Sequence, residues 1–238
     1  MRNLSAVILV GGFGTRVRHI TGAIPKPLAR ICGKPFLHWI FRSLKAKGIE
    51  DVYLLTHFEA KQIENFAREE ASSDFRIYCV KESTPSGTGG AVLDLLASTE
   101  AVSNTFLLLN GDSLLMNYPL DLALNAIAEG NEATIFGVPM ADASRYGTLK
   151  FNDLGRLLAF KEKATGAGVI NTGAYVFTRQ AFSQVANAER PISLEVDVIP
   201  LMIKLGTHIR VLPMNSPFID IGTEASLAGA ERFVRENF

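Results

Sequence analysis

The chain has 238 residues, 47% hydrophobic and 20% charged, enough to bury a sizeable core as one large domain or two small ones. Its 24 basic and 24 acidic side chains cancel, which excludes a global field drawing it to nucleic acid or anionic lipid. Cys32 and Cys79 are the only cysteines, which argues against a disulfide framework or structural zinc and leaves both as small core or near-core residues. No apolar run approaches the ~20 residues of a membrane span. Met1 to Ser5 flows directly into a first strand with no room for a signal peptide, so the expected compartment is the cytosol.

Ala6 to Val10 is a short apolar run with the pattern of a buried strand. Phe36 to Gly48 carries apolar residues at Phe36, Leu37, Ile40, Phe41 and Leu44, a helix face closed by Gly48. Strands are predicted at Asp51 to Thr56, Phe75 to Val80 and Thr105 to Leu109, the last fully apolar and therefore central. Helices are predicted at Glu59 to Ala71 and Gly89 to Ala97. The second half is less regular: strands at Ala133 to Val138, Gly147 to Phe151, Leu157 to Phe160, Val169 to Phe177 and Ile209 to Pro213, some antiparallel. Helices are predicted there at Ser193 to Leu205 and Glu224 to Val234. Apolar strands separated by helices argue a single α/β domain: a Rossmann-like mixed, mostly parallel sheet flanked by helices. Ligands of such sheets sit beyond the carboxyl ends of the strands, where the polar and glycine-rich loops of this chain fall.

The first of these loops is Gly11-Gly12-Phe13-Gly14-Thr15-Arg16, followed by Pro25-Lys26-Pro27. Glycines let backbone N–H groups approach phosphate oxygens, and Arg16 and Lys26 offset charge the amides cannot, so the loop reads as a polyphosphate cradle. Val17 stands where a dinucleotide fingerprint needs its third glycine, and the only Gly-Lys pair, Gly33-Lys34, is followed by proline, which excludes a Walker loop. The second loop, Glu82 to Gly90, is glycine-rich and leads into a helix, leaving N–H groups for a base edge or phosphate, with Glu82 placed to accept hydrogen bonds from a base. The competing reading is a capped helix start with Thr88 near the N-cap.

Asn110-Gly111-Asp112 follows the apolar strand and delivers a carboxylate at its end; Phe218 to Thr223 repeats the arrangement around Asp220. Two carboxylates from distant segments can share one Mg²⁺ with open positions for phosphate oxygens. Alternatively Asp112 caps a turn and Asp220 caps the helix behind it. Lys163, in Phe160-Lys161-Glu162-Lys163, can hold a second anionic substrate, with Glu162 and Asn171 on hydroxyls; the other reading is a solvated strand end. Ser193 to Asp197 reads as a capping box. The four histidines have no spacing that suggests a zinc site or a triad.

In order along nearly the whole chain, these motifs resemble the sugar-1-phosphate nucleotidyltransferases: the G-G-x-G-T-R and P-K-P loop, Arg145-Tyr146-Gly147-Thr148, Phe160 to Lys163, and the terminal F-I-D-I-G-T. The chain length and the Ile-Asp-Ile-Gly-Thr ending look most like the D-glycero-D-manno-heptose 1-phosphate guanylyltransferases, while enzymes for mannose, glucose or N-acetylmuramic acid 1-phosphate share the same motifs. The resemblance implies NTP plus sugar 1-phosphate giving NDP-sugar and pyrophosphate, with Mg²⁺ as cofactor and GTP as the nucleotide. It implies a nucleotide-binding part at about 1–115 and a sugar-phosphate-binding part at about 116–238 of one domain. It also implies roles: Gly11, Gly12, Gly14, Thr15, Asn110 and Gly111 on the nucleotide, Glu82, Gly87 and Thr88 on its base, and Arg16 on the departing pyrophosphate. Lys26 would bridge the reacting phosphates, Asp112 and Asp220 hold the metal, and Tyr146, Gly147, Glu162, Asn171 and Gly173 face the sugar, with Lys163 on its phosphate. No nucleic-acid or membrane partner is implied, and a homo-oligomer is compatible.

The nucleophile in such a reaction is already an anionic phosphate oxygen, so no general base is needed and alignment and charge set the barrier. Two departures bear on the sugar: Val17 to Gly22 replaces the usual Leu and Pro after the arginine, and Thr172 stands where the heptose enzymes tend to carry glycine. Two other classes of function remain in view, a catalytically silent nucleotide-sugar-binding regulatory subunit and a dinucleotide binder. The first would show loss of Arg16, Lys26 or an aspartate, and all are present; the missing third glycine disfavours the second.

Overall fold

The computed structural model describes residues 4–13, 22–161 and 165–238. The elements run β1 (Ser5–Leu9), a 3₁₀ turn (Lys26–Leu28), β2 (Arg30–Ile31), β3 (Lys34–Pro35), α1 (Phe36–Ala46), β4 (Asp51–Thr56), α2 (Ala60–Glu70) and β5 (Arg76–Lys81). Then come α3 (Gly87–Ser98), β6 (Thr105–Asn110), β7 (Ser113–Leu115), α4 (Leu120–Ala128), β8 (Ala133–Met140), β9 (Thr148–Phe151), β10 (Leu157–Lys161) and β11 (Gly168–Thr178). The chain closes with α5 (Arg179–Ser183), a π-turn (Leu194–Val198), α6 (Ile199–Lys204), β12 (Ile209–Pro213), β13 (Phe218–Asp220) and α7 (Glu224–Asn237). It forms two compact units, one of Met1–Thr84, Leu109–Met116 and Pro217–Phe238, the other of Pro85–Leu108 and Asn117–Ser216. Both mix strands and helices, the α/β class expected from the strand–helix alternation.

In the first unit β1, β4 and β5 are parallel, with Leu9 beside Leu55 and Leu55 beside Val80, so their carboxyl ends share one edge. The ladder residues Ala6 to Ile8 and Val52 to Leu55 are buried, and each large aliphatic among them is worth roughly 1.5–3 kcal/mol of transfer free energy. α1 buries Phe36, Leu37, Ile40, Phe41 and Leu44, the predicted face, and ends before Gly48, whose φ of +71° suits the left-handed residue after a helix. The small β2–β3 hairpin was not foreseen; it turns through Cys32 and Gly33, both at positive φ, and the Trp39 indole N–H donates to the Ile31 carbonyl at 3.1 Å. β7 and β13 pair antiparallel, Asp220 opposite Ser113.

In the second unit β8 runs antiparallel to β11 and parallel to β12, while β9 pairs antiparallel with β11 and β10. β11 breaks register between Asn171 and Tyr175, and Gly173 supplies the φ of +71° that the bulge requires. α4 was missed, because Leu120 to Ala128 follows Pro119 with no side-chain cap to announce it. The helix predicted over Ser193 to Leu205 runs without a break from Leu194 to Lys204, its first turn a π-turn and the rest α6.

Cys79 on β5 is half-buried, and burial pushes its thiol up to about 11, with the charge of Glu64 adding to the effect. The thiolate is the reactive form, so at pH 8 Cys79 is expected to alkylate about 100-fold more slowly than free cysteine. Peptide mapping of the native protein after timed iodoacetamide treatment measures this; alkylation as fast as in the urea-unfolded chain would contradict it.

Candidate active site

Lys26 is presented by a rigid turn. Proline favours the φ that a tight turn needs. Here Pro25 and Pro27 are both buried, Leu28 N–H donates to the Pro25 carbonyl at 2.8 Å and Ala29 N–H to the Lys26 carbonyl at 3.0 Å. The turn leaves the Lys26 side chain 16% exposed, with its ammonium ion-paired to Asp112 Oδ2. Asp112 follows β6, and Gly111 N–H donates to the Leu9 carbonyl at 3.0 Å. A Cβ on Gly111 would come within 2.6 Å of Val10 Cγ1, so only glycine passes this crossing. Ile221 N–H donates to the Asp112 carbonyl at 2.9 Å, and the Asp220 carboxylate accepts from Gly222 N–H at 2.8 Å. A Cβ on Gly222 would lie 2.7 Å from Asp220 Oδ1 and 3.7 Å from Lys26 Nζ. Lys26, Asp112 and Asp220 therefore meet in one place. The alternative role for Asp220 fails: α7 is capped by Thr223 in a reciprocal box with Ser226.

Among the described residues no group of three or more His, Cys, Asp or Glu side chains could hold a metal ion. Two carboxylates nonetheless fit the hard, oxygen-preferring Mg²⁺, which commonly takes one or two protein carboxylates and completes its shell with water and phosphate. Two carboxylates against one ammonium also leave a net negative charge, which attracts a cation before it attracts a triphosphate.

At the ends of the parallel strands, Gly11 accepts at its carbonyl from Phe58 N–H at 3.3 Å, and Glu82 N–H donates to the Thr56 carbonyl at 2.9 Å. A Cβ on Gly11 would sit 3.1 Å from Glu82 Oε2, so the carboxylate lies directly against the glycine backbone. A Cβ on Gly12 would meet open space among the described residues, and Phe13 beside it is 49% exposed. Gly14, Thr15 and Arg16 lie outside the described residues, as do Glu162 and Lys163.

The second unit holds the other group. Gly87 has a φ of +80° and opens α3, whose N-cap is Ser86, with Thr88 near it as expected but with no side-chain bond capping the helix. The expectation of open helix-start amides is corrected at two positions: Gly89 N–H and Gly90 N–H both donate to the Ile192 carbonyl, at 2.9 and 3.2 Å. A Cβ on Gly87 would run into the Ile192 backbone, and one on Gly89 would sit 2.5 Å from Val198 Cγ2. Gly147 accepts Asn171 N–H at 2.8 Å and lies under the Phe160 ring, while Arg145 lies over the Tyr146 ring at 5.2 Å. Thr172 is buried with its hydroxyl on the Phe136 carbonyl at 2.7 Å, so this departure from the expected glycine is taken up by the sheet. Lys161, which precedes the Glu162-Lys163 pair, has its ammonium held below the usual lysine range by a hydrogen bond and the charge of Lys150.

A family model described as nucleotidyl transferase matches residues 5–237. The chain belongs to the nucleotidyl transferase family. This nucleotidyltransferase is 34% identical over 220 residues to the D-glycero-alpha-D-manno-heptose 1-phosphate guanylyltransferase of Campylobacter jejuni, covering 92% of this chain and 95% of that one. It is also 34% identical to the enzyme of that name from Aneurinibacillus thermoaerophilus, covering 82% of this chain and 84% of the other. Among solved structures, HddC from Yersinia pseudotuberculosis complexed with GMP-PN superimposes with a TM-score of 0.82 at 26% identity, over 96% of this chain and 98% of that one.

One polar residue of the nucleotidyltransferase was read only as part of a helix cap. Glu195 accepts the Tyr175 hydroxyl at 3.2 Å and the Thr88 hydroxyl at 3.4 Å, and Tyr175 accepts from Asn171 Nδ2 at 2.6 Å. The only sequence signal was a glutamate in a turn that already had Ser193 and Asp197 for capping.

Proposed function

We propose that this nucleotidyltransferase is a sugar-1-phosphate guanylyltransferase that transfers GMP from GTP to D-glycero-alpha-D-manno-heptose 1-phosphate, releasing pyrophosphate. The observation that carries the reading is the meeting of Lys26, Asp112 and Asp220, a cation and two carboxylates suited to a metal-bound triphosphate. The names of the two relatives at 34% identity support the base and the sugar. A sugar-phosphate oxygen attacks the α-phosphorus; the new O–P bond forms as the bond to the β-phosphate oxygen breaks, and pyrophosphate carries away the charge. Both reacting groups are anions, so the protein's work is to offset charge and hold the reactants in line.

In this reading Lys26 bridges the reacting phosphates and Arg16 stabilises the pyrophosphate, with Gly11, Gly12, Gly14, Thr15, Asn110 and Gly111 along the nucleotide. Glu82 accepts from guanine N1–H and the N2 amino group, and Gly87 and Thr88 also contact the base. Tyr146, Gly147, Glu162, Asn171 and Gly173 bind the sugar, and Lys163 its phosphate. Asp112 and Asp220 hold Mg²⁺, which neutralises charge on the phosphates when bound.

A matrix of four NTPs against heptose, mannose, glucose and N-acetylmuramic acid 1-phosphates, scored by pyrophosphate release with and without Mg²⁺, tests this. The expected maximum is GTP with the heptose, and chelation abolishes it. A maximum at another pair corrects the substrate, and no release at any pair removes the function.

A further inference from the structure

Lys26 faces two demands that one ammonium cannot meet together. In the proposed reaction it bridges the reacting phosphates, yet here its ammonium is the partner of Asp112 Oδ2. A lysine carries one compact charge, so once it turns to phosphate it no longer holds the carboxylate. An unheld carboxylate samples several rotamers and must be ordered again whenever a cation arrives, which costs entropy. Asp112 therefore needs a second hold.

Ser113 supplies it. Its hydroxyl donates to Asp112 Oδ1 at 3.1 Å, the oxygen that Lys26 does not use. A carboxylate only accepts, so the single hydroxyl proton of Ser113 is committed to Asp112. Ser113 is itself fixed by the β7–β13 ladder, in which it stands opposite Asp220. Directly opposed residues of an antiparallel pair share a face, with Cβ atoms about 4.5–5.5 Å apart, so Ser113 and Asp220 project to the same side. On the facing strand Gly222 N–H donates to Asp220 Oδ1 at 2.8 Å. Each aspartate thus has its Oδ1 tied by a neighbour in its own segment. Backbone bonds lock the two segments to each other: Ile221 N–H on the Asp112 carbonyl and Met116 N–H on the Pro217 carbonyl, both at 2.9 Å.

We propose that Ser113 is a positioning residue of the cation site: by holding Asp112 Oδ1 it keeps Oδ2 aimed at the place where Lys26 gives way to a divalent cation. The inference rests on the assignment of Asp112 and Asp220 to Mg²⁺ and of Lys26 to the phosphates made above. It also accounts for serine on a strand, where a β-branched or aromatic side chain is otherwise favoured.

Mn²⁺ binding to the nucleotide-free protein, followed by water-proton relaxation, reads the site without turnover. Ser113→Ala is expected to weaken Mn²⁺ about tenfold and to raise the Mg²⁺ concentration for half-maximal pyrophosphate release by a similar factor, with kcat at saturating Mg²⁺ within about threefold. Ser113→Thr keeps the hydroxyl on a side chain that suits a strand and should restore both values. Asp112→Asn should remove most of the Mn²⁺ binding, which ties the signal to this site. An unchanged Mn²⁺ affinity in Ser113→Ala, a loss that threonine does not restore, or a loss that follows a collapse of the melt would overturn the proposal. So would a parent protein that binds no Mn²⁺, or an Asp112→Asn variant that binds it as the parent does. If the parent released no pyrophosphate from any NTP, the proposed function would fail, and the Mn²⁺ titration would still judge Ser113.

Discussion

Asp112→Asn should lower pyrophosphate release by about 10²–10³-fold while leaving the melting temperature nearly unchanged. The two effects separate because different atoms of Asp112 do different work. Its backbone carbonyl takes the Ile221 N–H at 2.9 Å, and the β7–β13 ladder places Asp220 opposite Ser113 through the backbone. Neither bond involves the carboxylate. The carboxylate pairs with Lys26 and accepts the Ser113 hydroxyl at 3.1 Å, and it is 34% exposed, so its loss costs the fold little. Asparagine keeps the shape but removes the negative charge that draws in a divalent cation and offsets Lys26. Measuring kcat at saturating Mg²⁺ alongside the thermal melt decides the matter. Activity within threefold of the parent would remove Asp112 from the chemistry, and a collapse of the melt would show that the carboxylate is structural.

The largest expected stability loss is at Gly87→Ala. Gly87 has a φ of +80°, a conformation costing an L-residue about 1–2 kcal/mol. An added Cβ would also sit 2.8 Å from the Ile192 nitrogen and closer still to its carbonyl oxygen. That obstacle is backbone, so it cannot rotate aside, and overpacking of this kind costs about 1–3 kcal/mol. Together these lower the melting temperature by about 5–15 °C for a chain of this size. The strain falls on the contact between the start of α3 and Ile192, whose carbonyl holds the amides of Gly89 and Gly90. Thr88 lies within that contact, with its Oγ1 on Leu194 N–H, so the KM for the nucleotide should rise as well. Gly130→Ala is the control: its φ is +100° but a Cβ there meets nothing within 4 Å. Equal losses at the two positions would show that Ile192 contributes nothing to the penalty at Gly87.

Local patterns were enough for the regular elements. β4 and β12 span the predicted residues, and α1, α2, β6 and β11 differ only at their ends, because an apolar face repeats at the period of its own element. α4 escaped because Pro119 offers no side-chain cap, and the β2–β3 hairpin because Cys32, a residue with no turn preference, takes a φ of +50°. The grouping of Lys26 with Asp112 and Asp220 was anticipated only as two carboxylates sharing an ion; that Lys26 pairs with one of them was not. Distance along the chain hides such a meeting, since nearly two hundred residues separate Lys26 from Asp220.

By itself the sequence determined the α/β class, the glycine-rich loop, the Pro25-Lys26-Pro27 motif and the identities of the charged groups. These are properties of residue type and near-neighbour spacing, which a linear reading can reach. The tertiary structure alone decided which polar groups satisfy one another. It gave the amides of Gly89 and Gly90 to Ile192 and made Glu195 the common acceptor of Thr88 and Tyr175. The physical reason is that a buried donor must find its acceptor wherever the fold brings one, and hydrogen-bond pairing over a hundred residues leaves no periodic trace in the chain.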